Sequence, residues 1–120
     1  MAKPTVSLLK KKIMILIKAH VKRRDKHVCQ HCGKSVSGHD EQASHVKPTS
    51  HYQSLMFDPI NIKVLCYRCH NWWHENPTDS AEWFKTKFPD RWVYIQEHQN
   101  EIPHWKINDY REMLEQAKSL

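Results

Sequence analysis

Glycine is scarce in this sequence, and there is no long hydrophobic run. The 120 residues include only two glycines, which nearly excludes a glycine-rich loop that cradles phosphate groups. The longest apolar run, residues 13–17, has five residues, whereas a signal peptide needs roughly 7–15 apolar residues and a transmembrane helix about 20. We therefore expect a cytoplasmic protein with no membrane partner.

Acidic residues are rare at one end of the chain. Residues 1–28 hold nine Lys or Arg against one acidic residue, while the whole chain carries a formal net charge of +6. This excess of positive charge suits a polyanion, most simply DNA, although a solvated basic face that aids solubility is the alternative. The basic residues predicted to contact DNA are Lys10, Lys11, Lys12, Lys22, Arg23, Arg24 and Lys47.

Length and hydropathy predict a single domain with a thin core. A chain of 120 residues with 39% hydrophobic content buries a modest core, and domains of this kind are often stabilised further by a bound metal ion or by disulfides. We divide residues 1–120 into a basic helical segment (1–28), a central core (29–77) and C-terminal helices (78–120). Residue periodicity predicts helices at 5–24, 67–75, 80–88, 90–100 and 107–118, and strands at 43–46 and 61–65. The oligomeric state stays open.

Two details of these helices follow from the same patterns. The apolar face of the first helix is predicted from residues spaced by three or four: Leu9, Ile13, Leu16, Ile17 and His20. Thr78 or Asp79 is predicted to cap the helix that starts at Ser80. The five tryptophans are assigned to the core, with one exposed tryptophan contacting DNA as the alternative.

All four cysteines belong to pairs with the same spacing. Cys29 and Cys32 are separated by two residues, and so are Cys66 and Cys69. This spacing allows both thiolates of a pair to bind one ion from a tight turn, and two turns complete the four-sulfur site of structural zinc. In a chain without an export signal, such pairs indicate metal binding rather than disulfides. Two unrelated free or redox-active pairs are the alternative.

Histidine is frequent, with ten residues in the chain. His70 and His74 are four residues apart in a predicted helix, so they share one face and can bind one ion. His45 lies on the first predicted strand, and Asn61 opens the second. These four residues are the candidates for a second site beside the cysteines.

The order of these residues resembles the HNH (ββα-metal) endonuclease family. The resemblance covers residues 29–74 and is carried by the pattern C-x2-C…S-H-V-x-P…N-I-x-x-L-C-x-x-C-H-x-x-x-H. It implies an α+β fold with a ββα-metal HNH core, stapled here by a four-cysteine zinc site and flanked by N-terminal and C-terminal helices. It also implies that His45 activates water, that Asn61 braces the loop carrying this histidine, and that His70 and His74 bind one catalytic ion. That ion would be Mg²⁺, Mn²⁺, Ni²⁺ or Zn²⁺.

One position departs from the family pattern. Many members carry Asp or His just before the general base as a further metal ligand, and here the residue is Ser44. Ser44, His39 and Asp40 are therefore candidates for the remaining ligand, as are water and a DNA phosphate. Within residues 44–69, three short motifs also resemble phage recombination nucleases of the NinG type: Ser44-His45, Met56-Phe57-Asp58-Pro59-x-Asn61-Ile62 and Cys66-x-x-Cys69. That finer resemblance implies a phage protein in the bacterial host cytoplasm, with recombination or packaging proteins as partners.

Three functions are compatible with these patterns. The first is a DNA endonuclease that hydrolyses phosphodiester bonds with one divalent ion. The second is a zinc-dependent nucleic-acid-binding module without cleavage activity, which the serine at position 44 favours. The third is a phage accessory factor in which residues 78–120 contact a recombination or packaging complex and nicking is secondary. Only an assay of cleavage separates them.

Overall fold

The computed structural model describes residues 5–120 as an α+β fold. Within this range there are five α-helices and one antiparallel sheet of two strands. In chain order the elements are α1 (Val6–Arg24), β1 (Gln42–His45), β2 (Ile62–Leu65), α2 (Tyr67–Glu75), α3 (Pro77–Lys87), α4 (Pro89–His98) and α5 (Ile107–Lys118). Every predicted element is present. Residues 1–4 of the predicted basic segment lie outside the described residues.

The two strands form a hairpin with a long connection. Gln42 lies opposite Leu65 and His45 lies opposite Ile62. All four residues of β2 are buried, because α1 and α2 both pack against this strand. The connection, residues 46–61, contains two short 3-10 turns and ends in the fully buried Asn61. This arrangement places the end of β1 beside the start of β2.

The first helix carries the largest continuous part of the core. It begins after Thr5, whose side-chain oxygen accepts the N–H of Leu8 as an N-cap. Its buried residues recur at every fourth position: Leu9, Ile13, Ile17 and Val21. The predicted apolar face was therefore slightly rotated, since Leu16 and His20 are only half-buried. No helix within residues 5–120 combines the length and apolar character that a membrane crossing requires.

The last helix packs along the first one. Lys10 lies over the ring of Tyr110, and the guanidinium of Arg23 donates to the carbonyl of Leu120. The start of α1 thus contacts the start of α5, and the end of α1 contacts the residue just after the end of α5. The two helices therefore run in the same direction. Tyr110 and Ala117 are the buried residues of α5. The C-terminal segment is thus part of the same core as the basic helix.

Prolines begin the third and fourth helices. α3 starts at Pro77 and α4 starts at Pro89. Proline suits the first turn of a helix because the N–H that it lacks has no partner inside the helix there. The predicted start of α3 at Ser80, with Thr78 or Asp79 as its cap, is therefore wrong by about one turn. Ser80 is instead a buried residue within α3.

Candidate functional site

The four cysteines meet in one cluster, as their spacing predicted. Their sulfur atoms all lie within 4.8 Å of one another. The turn after α1 supplies Cys29 and Cys32, and the start of α2 supplies Cys66 and Cys69. Burial alone would raise the pKa of Cys29, but N–H groups directed at its sulfur lower that pKa to about 7. Four cysteine sulfurs at this separation, which lose their protons as the ion binds, can hold one metal ion such as zinc.

A histidine that the spacing pattern did not single out supports this cluster. The Nδ1 atom of His31 lies 3.2 Å from the sulfur of Cys69. The ring stacks on Trp72, with ring centroids 4.1 Å apart and an angle of 15° between the planes. Trp83 contacts the same ring edge-on at 5.0 Å. The two tryptophans therefore belong to the packing around the cysteines, in agreement with their assignment to the core.

His45 lies in a cavity of about 380 Å³ that His70 and His74 also line. Its Nε2 lies 2.9 Å from the carbonyl oxygen of Met56. Because a carbonyl only accepts hydrogen bonds, Nε2 carries the proton of the neutral ring. Nδ1 has no hydrogen-bond partner among residues 5–120 and keeps its lone pair. Burial lowers the pKa of His45, with a smaller opposing effect of the Met56 hydrogen bond, so the ring is neutral near pH 7.

His70 and His74 lie together on the cavity side of α2. Their ring centroids are 4.6 Å apart and their planes are nearly perpendicular. The Nδ1 atom of His70 is buried and has no hydrogen-bond partner among the described residues, which is costly unless a ligand or ion satisfies it. Burial, followed by the neighbouring His74, lowers the pKa of His70. The ring therefore stays in the neutral form that binds metal ions.

The candidates for a further metal ligand are bonded elsewhere or lie away from the histidine pair. Ser44 is buried, and its hydroxyl oxygen accepts a hydrogen bond from Lys63 Nζ at 3.1 Å. Asp40 pairs with Lys34 at 2.8 Å and accepts the first N–H of α2. Neither Asp40 nor the exposed His39 lines the cavity. Within residues 5–120, the cysteines are the only group of three or more such ligands in mutual reach.

Lys63 is a feature of the site that the sequence pattern did not reveal. The residue is fully buried, and its Nζ atom donates to the carbonyl of His45 at 3.1 Å. The same atom lies 3.3 Å from the centroid of the Trp73 ring. Burial holds the pKa of Lys63 well below its ordinary value. Lys63 and Ser44 lie opposite each other in the hairpin, so the strand register explains why these two polar residues meet inside the sheet.

Asn61 makes three hydrogen bonds to the connection that follows His45. Its Oδ1 accepts the N–H of Lys47 at 2.8 Å, and its Nδ2 donates to the carbonyl of Lys47 at 3.1 Å. Nδ2 also donates to the carbonyl of Leu55 at 3.2 Å. Because Lys47 follows His45 by two residues, the amide fixes the backbone next to the histidine. The role of Asn61 in bracing the loop that carries His45 stays a prediction, and these hydrogen bonds favour it.

The lysines of α1 divide between two sides of the helix. At about 100° per residue, Lys11, Lys18 and Lys22 share one face, and Lys18 lines the cavity that contains His45. Lys12 lies on another side, where it lines a small cavity beside α5. Lys10 lies over an aromatic ring of α5. The predicted group of Lys10, Lys11 and Lys12 is therefore split, and Lys18 joins the face that adjoins the histidines.

Arg24 binds backbone groups within the fold. Its guanidinium donates to the carbonyl oxygens of Pro59 at 2.7 Å and Ile62 at 2.6 Å. It also pairs with Asp25 at 2.9 Å. These bonds hold the segment that leads into β2 and occupy the guanidinium. We therefore assign Arg24 a role in the fold, while its contact with DNA stays a prediction.

Comparisons with known proteins found no matching family model, no matching curated protein and no matching solved structure. What the site can do is therefore inferred from the chemistry of its own residues. The neutral imidazole of His45 shares its cavity with the imidazoles of His70 and His74, and Lys18 of α1 lines the same cavity.

Proposed function

We propose that the chain is a metal-dependent DNA endonuclease of the HNH kind, which hydrolyses phosphodiester bonds in the cavity lined by His45. The observation that supports this most strongly is the environment of His45. Its Nε2 is tied to the carbonyl of Met56, while Nδ1 is left without a partner among residues 5–120. A hydrogen bond to one ring nitrogen sets the tautomer and orientation that a general base needs at the other nitrogen.

In this proposal, His45 accepts a proton from water at Nδ1. The water oxygen forms a bond to phosphorus, the bond from phosphorus to the leaving sugar oxygen breaks, and solvent protonates that oxygen. The lowered pKa of His45 keeps the base in its proton-accepting form at neutral pH. Asn61 acts by position, because its amide holds the backbone two residues after His45.

His70 and His74 would hold the divalent ion. The buried, unpartnered Nδ1 of His70 fits a metal ligand, and the neighbouring imidazole supplies a second nitrogen. Such an ion neutralises the phosphate and stabilises the leaving oxygen when bound. Water and the phosphate itself would complete the coordination shell, since within residues 5–120 the structure brings no third side chain of that kind to the pair. Two imidazoles alone do not select among Mg²⁺, Mn²⁺, Ni²⁺ and Zn²⁺.

A second metal site with a structural role completes the proposal. The cysteine cluster would hold zinc, and it lies where the turn after α1 meets the start of α2. Cys69 and His70 are consecutive, so a zinc ion at the cluster would hold the beginning of the helix that carries the histidine pair. Loss of zinc would therefore remove the site indirectly, through the fold.

A nucleic-acid-binding module without cleavage is the second candidate function, and one observation favours it. The hydroxyl of Ser44 is occupied by Lys63 and supplies no ligand. A charged Lys63 would also oppose the binding of a cation close to the histidine pair. In this alternative the basic face of α1 binds nucleic acid and the zinc cluster stabilises the fold.

Conversion of supercoiled plasmid to nicked or linear forms separates the two functions. Protein loaded with one zinc per chain is incubated with Mg²⁺, Mn²⁺, Ni²⁺ or additional Zn²⁺, or without added ion, as wild type and as the variants His45→Ala and His74→Ala. We expect conversion by wild type only with added ion, and a loss of roughly 100-fold or more in both variants. The exposed His104, outside the cavity, provides the matched control His104→Ala, which should cut as wild type does. Folded, zinc-loaded wild type that cuts with none of these ions would reject the nuclease.

A further inference from the structure

A second cavity adjoins the one that contains His45. It has a volume of about 370 Å³, within the range of roughly 300–1,000 Å³ that is usual for small-ligand sites. Four residues line both cavities: Val46, Pro48, Trp73 and His74. The two cavities are therefore neighbours that share one wall.

Aromatic rings and a cation line the second cavity. Tyr52 and Trp92 are both half-buried and present part of their rings. The Nζ atom of Lys47 lies 5.4 Å from the centroid of the Tyr52 ring and 5.2 Å from that of Trp92. Both distances are typical of a cation–π contact. His51, which is exposed, adds an imidazole to the same cavity.

The second cavity is held in a defined position relative to His45. Asn61 binds both the N–H and the carbonyl of Lys47, and Lys47 follows His45 by two residues. The same buried amide therefore supports the histidine on one side and the lysine of the aromatic cavity on the other. A strand with one phosphate at His45 would carry its neighbouring nucleotide to the aromatic cavity.

The chemistry of these walls suits a nucleobase. Aromatic side chains stack on bases of any sequence because every base has a planar face. The ammonium of Lys47 suits the carbonyl oxygens of a base and the adjoining phosphate. Bases inside a duplex are paired and stacked on each other, so a base reaches such a cavity only when it is unpaired or rotated out of the helix.

We infer that this cavity binds one unpaired nucleobase beside the phosphate held at His45. The preferred substrate is then single-stranded or locally unpaired DNA, and intact duplex binds more weakly. This inference rests on the proposed function for the place of the phosphate, but binding alone can test it. Tyr52 and Trp92 are the stacking residues. The base takes the place of the Lys47 ammonium, which lies over both rings in the free protein, and that ammonium turns to the base carbonyl or the adjoining phosphate.

Fluorescence anisotropy with labelled oligonucleotides tests the inference on zinc-loaded full-length protein without added divalent ion. The four probes are a single strand, a blunt duplex, a duplex with one unpaired nucleotide, and that same duplex with an abasic sugar at the unpaired position. We expect the single strand and the unpaired-nucleotide duplex to bind more tightly than the blunt and abasic duplexes. The affinities should differ by about 5- to 150-fold, because this is the contribution that stacking of one base on an aromatic side chain usually makes.

Protein variants test whether the preference for an unpaired nucleotide depends on the aromatic side chains of the second cavity. Tyr52→Leu and Trp92→Leu keep apolar volume but lose the planar face, so both should remove most of the preference for the unpaired nucleotide. Tyr67 is an exposed tyrosine that lines neither cavity, and Tyr67→Leu should keep the preference. The abasic probe leaves the protein unchanged, so it decides the matter even if a variant fails to fold.

Two results would overturn the inference: equal affinity for the unpaired and abasic duplexes, or a preference that survives both cavity variants. The outcome is separable from that of the plasmid assay. A preference without cleavage supports the nucleobase cavity and rejects the nuclease. Cleavage without a preference supports the nuclease and rejects the nucleobase cavity.

Discussion

The side-chain amide of Asn61 binds both backbone groups of Lys47, at 2.8 Å to the N–H and 3.1 Å to the carbonyl. The amide therefore pairs with the backbone as a neighbouring strand would. The pairing joins the residue just before β2 to the connection that follows β1. His45 precedes Lys47 by two residues, and the Nε2 atom of its ring donates to the carbonyl of Met56. One buried amide therefore supports the histidine and the adjoining aromatic cavity together.

Removal of this amide should lower stability. Asn61→Ala leaves the N–H and carbonyl of the half-buried Lys47 and the carbonyl of the buried Leu55 without their partner. Three such losses should reduce the free energy of unfolding by about 2–4 kcal/mol, measured by urea denaturation. Asn100→Ala, at an exposed position, should change it by less than about 0.5 kcal/mol. Wild-type stability in Asn61→Ala would contradict the bracing role.

Zinc should be essential for the fold. Native mass spectrometry should find one zinc per chain, and Cys29→Ala or Cys66→Ala should lose it and unfold. The apparent free energy of binding at structural zinc sites is about 10–16 kcal/mol, which exceeds or matches the roughly 5–15 kcal/mol by which domains are usually stable. Ser37→Ala, exposed in the same turn region, should keep both zinc and melting temperature. Unchanged zinc content and melting in the cysteine variants would reject the site.

The pH dependence of cleavage should reflect the environment of His45. Burial lowers its pKa below 6.5, and the general base acts only when unprotonated. Cleavage should therefore be at full rate above that lowered pKa and fall as the pH decreases through it. The acid limb of kcat/KM should have its midpoint below 6.5, measured with a fluorogenic oligonucleotide. An acid limb centred above the ordinary histidine value would show that another group limits the reaction.

The helix face that adjoins the cavity should hold the DNA backbone. Replacing Lys11, Lys18 and Lys22 by Gln should weaken binding to all sequences and reduce the slope of log K against log[salt] by about 2–3. Anisotropy titrations at several salt concentrations measure that slope. The matched control removes the same charge elsewhere, at Lys12, Lys85 and Lys118. If both triple variants change the slope equally, binding depends on net charge and not on this face.

The buried Lys63 should make stability depend on pH. Its folded-state pKa lies well below 10.5, so between these values the unfolded chain binds more protons than the folded one. The free energy of unfolding of the wild type should therefore increase as the pH rises through that window, by up to about 1.4 kcal/mol per pH unit. Lys63→Met lacks the titrating amine, so the difference between wild type and variant should shift in favour of wild type as the pH rises.

Urea denaturation at several pH values between neutrality and about 10, the upper part of that window, measures the difference. Lys85→Met, at an exposed position, should differ from wild type by a constant amount over the same range. A constant difference for Lys63→Met as well would mean that the amine titrates as it does in the unfolded chain.

Short-range spacing was enough to predict much of this protein. A gap of two residues places two thiolates in one turn, and a spacing of four places His70 and His74 on one face of a helix. Both relationships depend on local backbone geometry, so they hold before any tertiary contact is known. The positions of the helices and strands followed in the same way from periodicity. The start of α3 at Pro77 was missed because polar capping residues just beyond it also matched a helix start.

Contacts between distant segments depended on the tertiary structure. By residue type alone Lys63 would be a solvent-exposed strand residue, but the hairpin register and the packing of α1 and α2 bury it against Ser44 and Trp73. Arg24 was predicted as one more basic residue of a DNA-binding helix, but its position brings it to a backbone carbonyl of Pro59, 35 residues later. The free Nδ1 of His45 and the aromatic cavity beside it also arise from such long-range contacts, because no local pattern specifies which distant groups will meet.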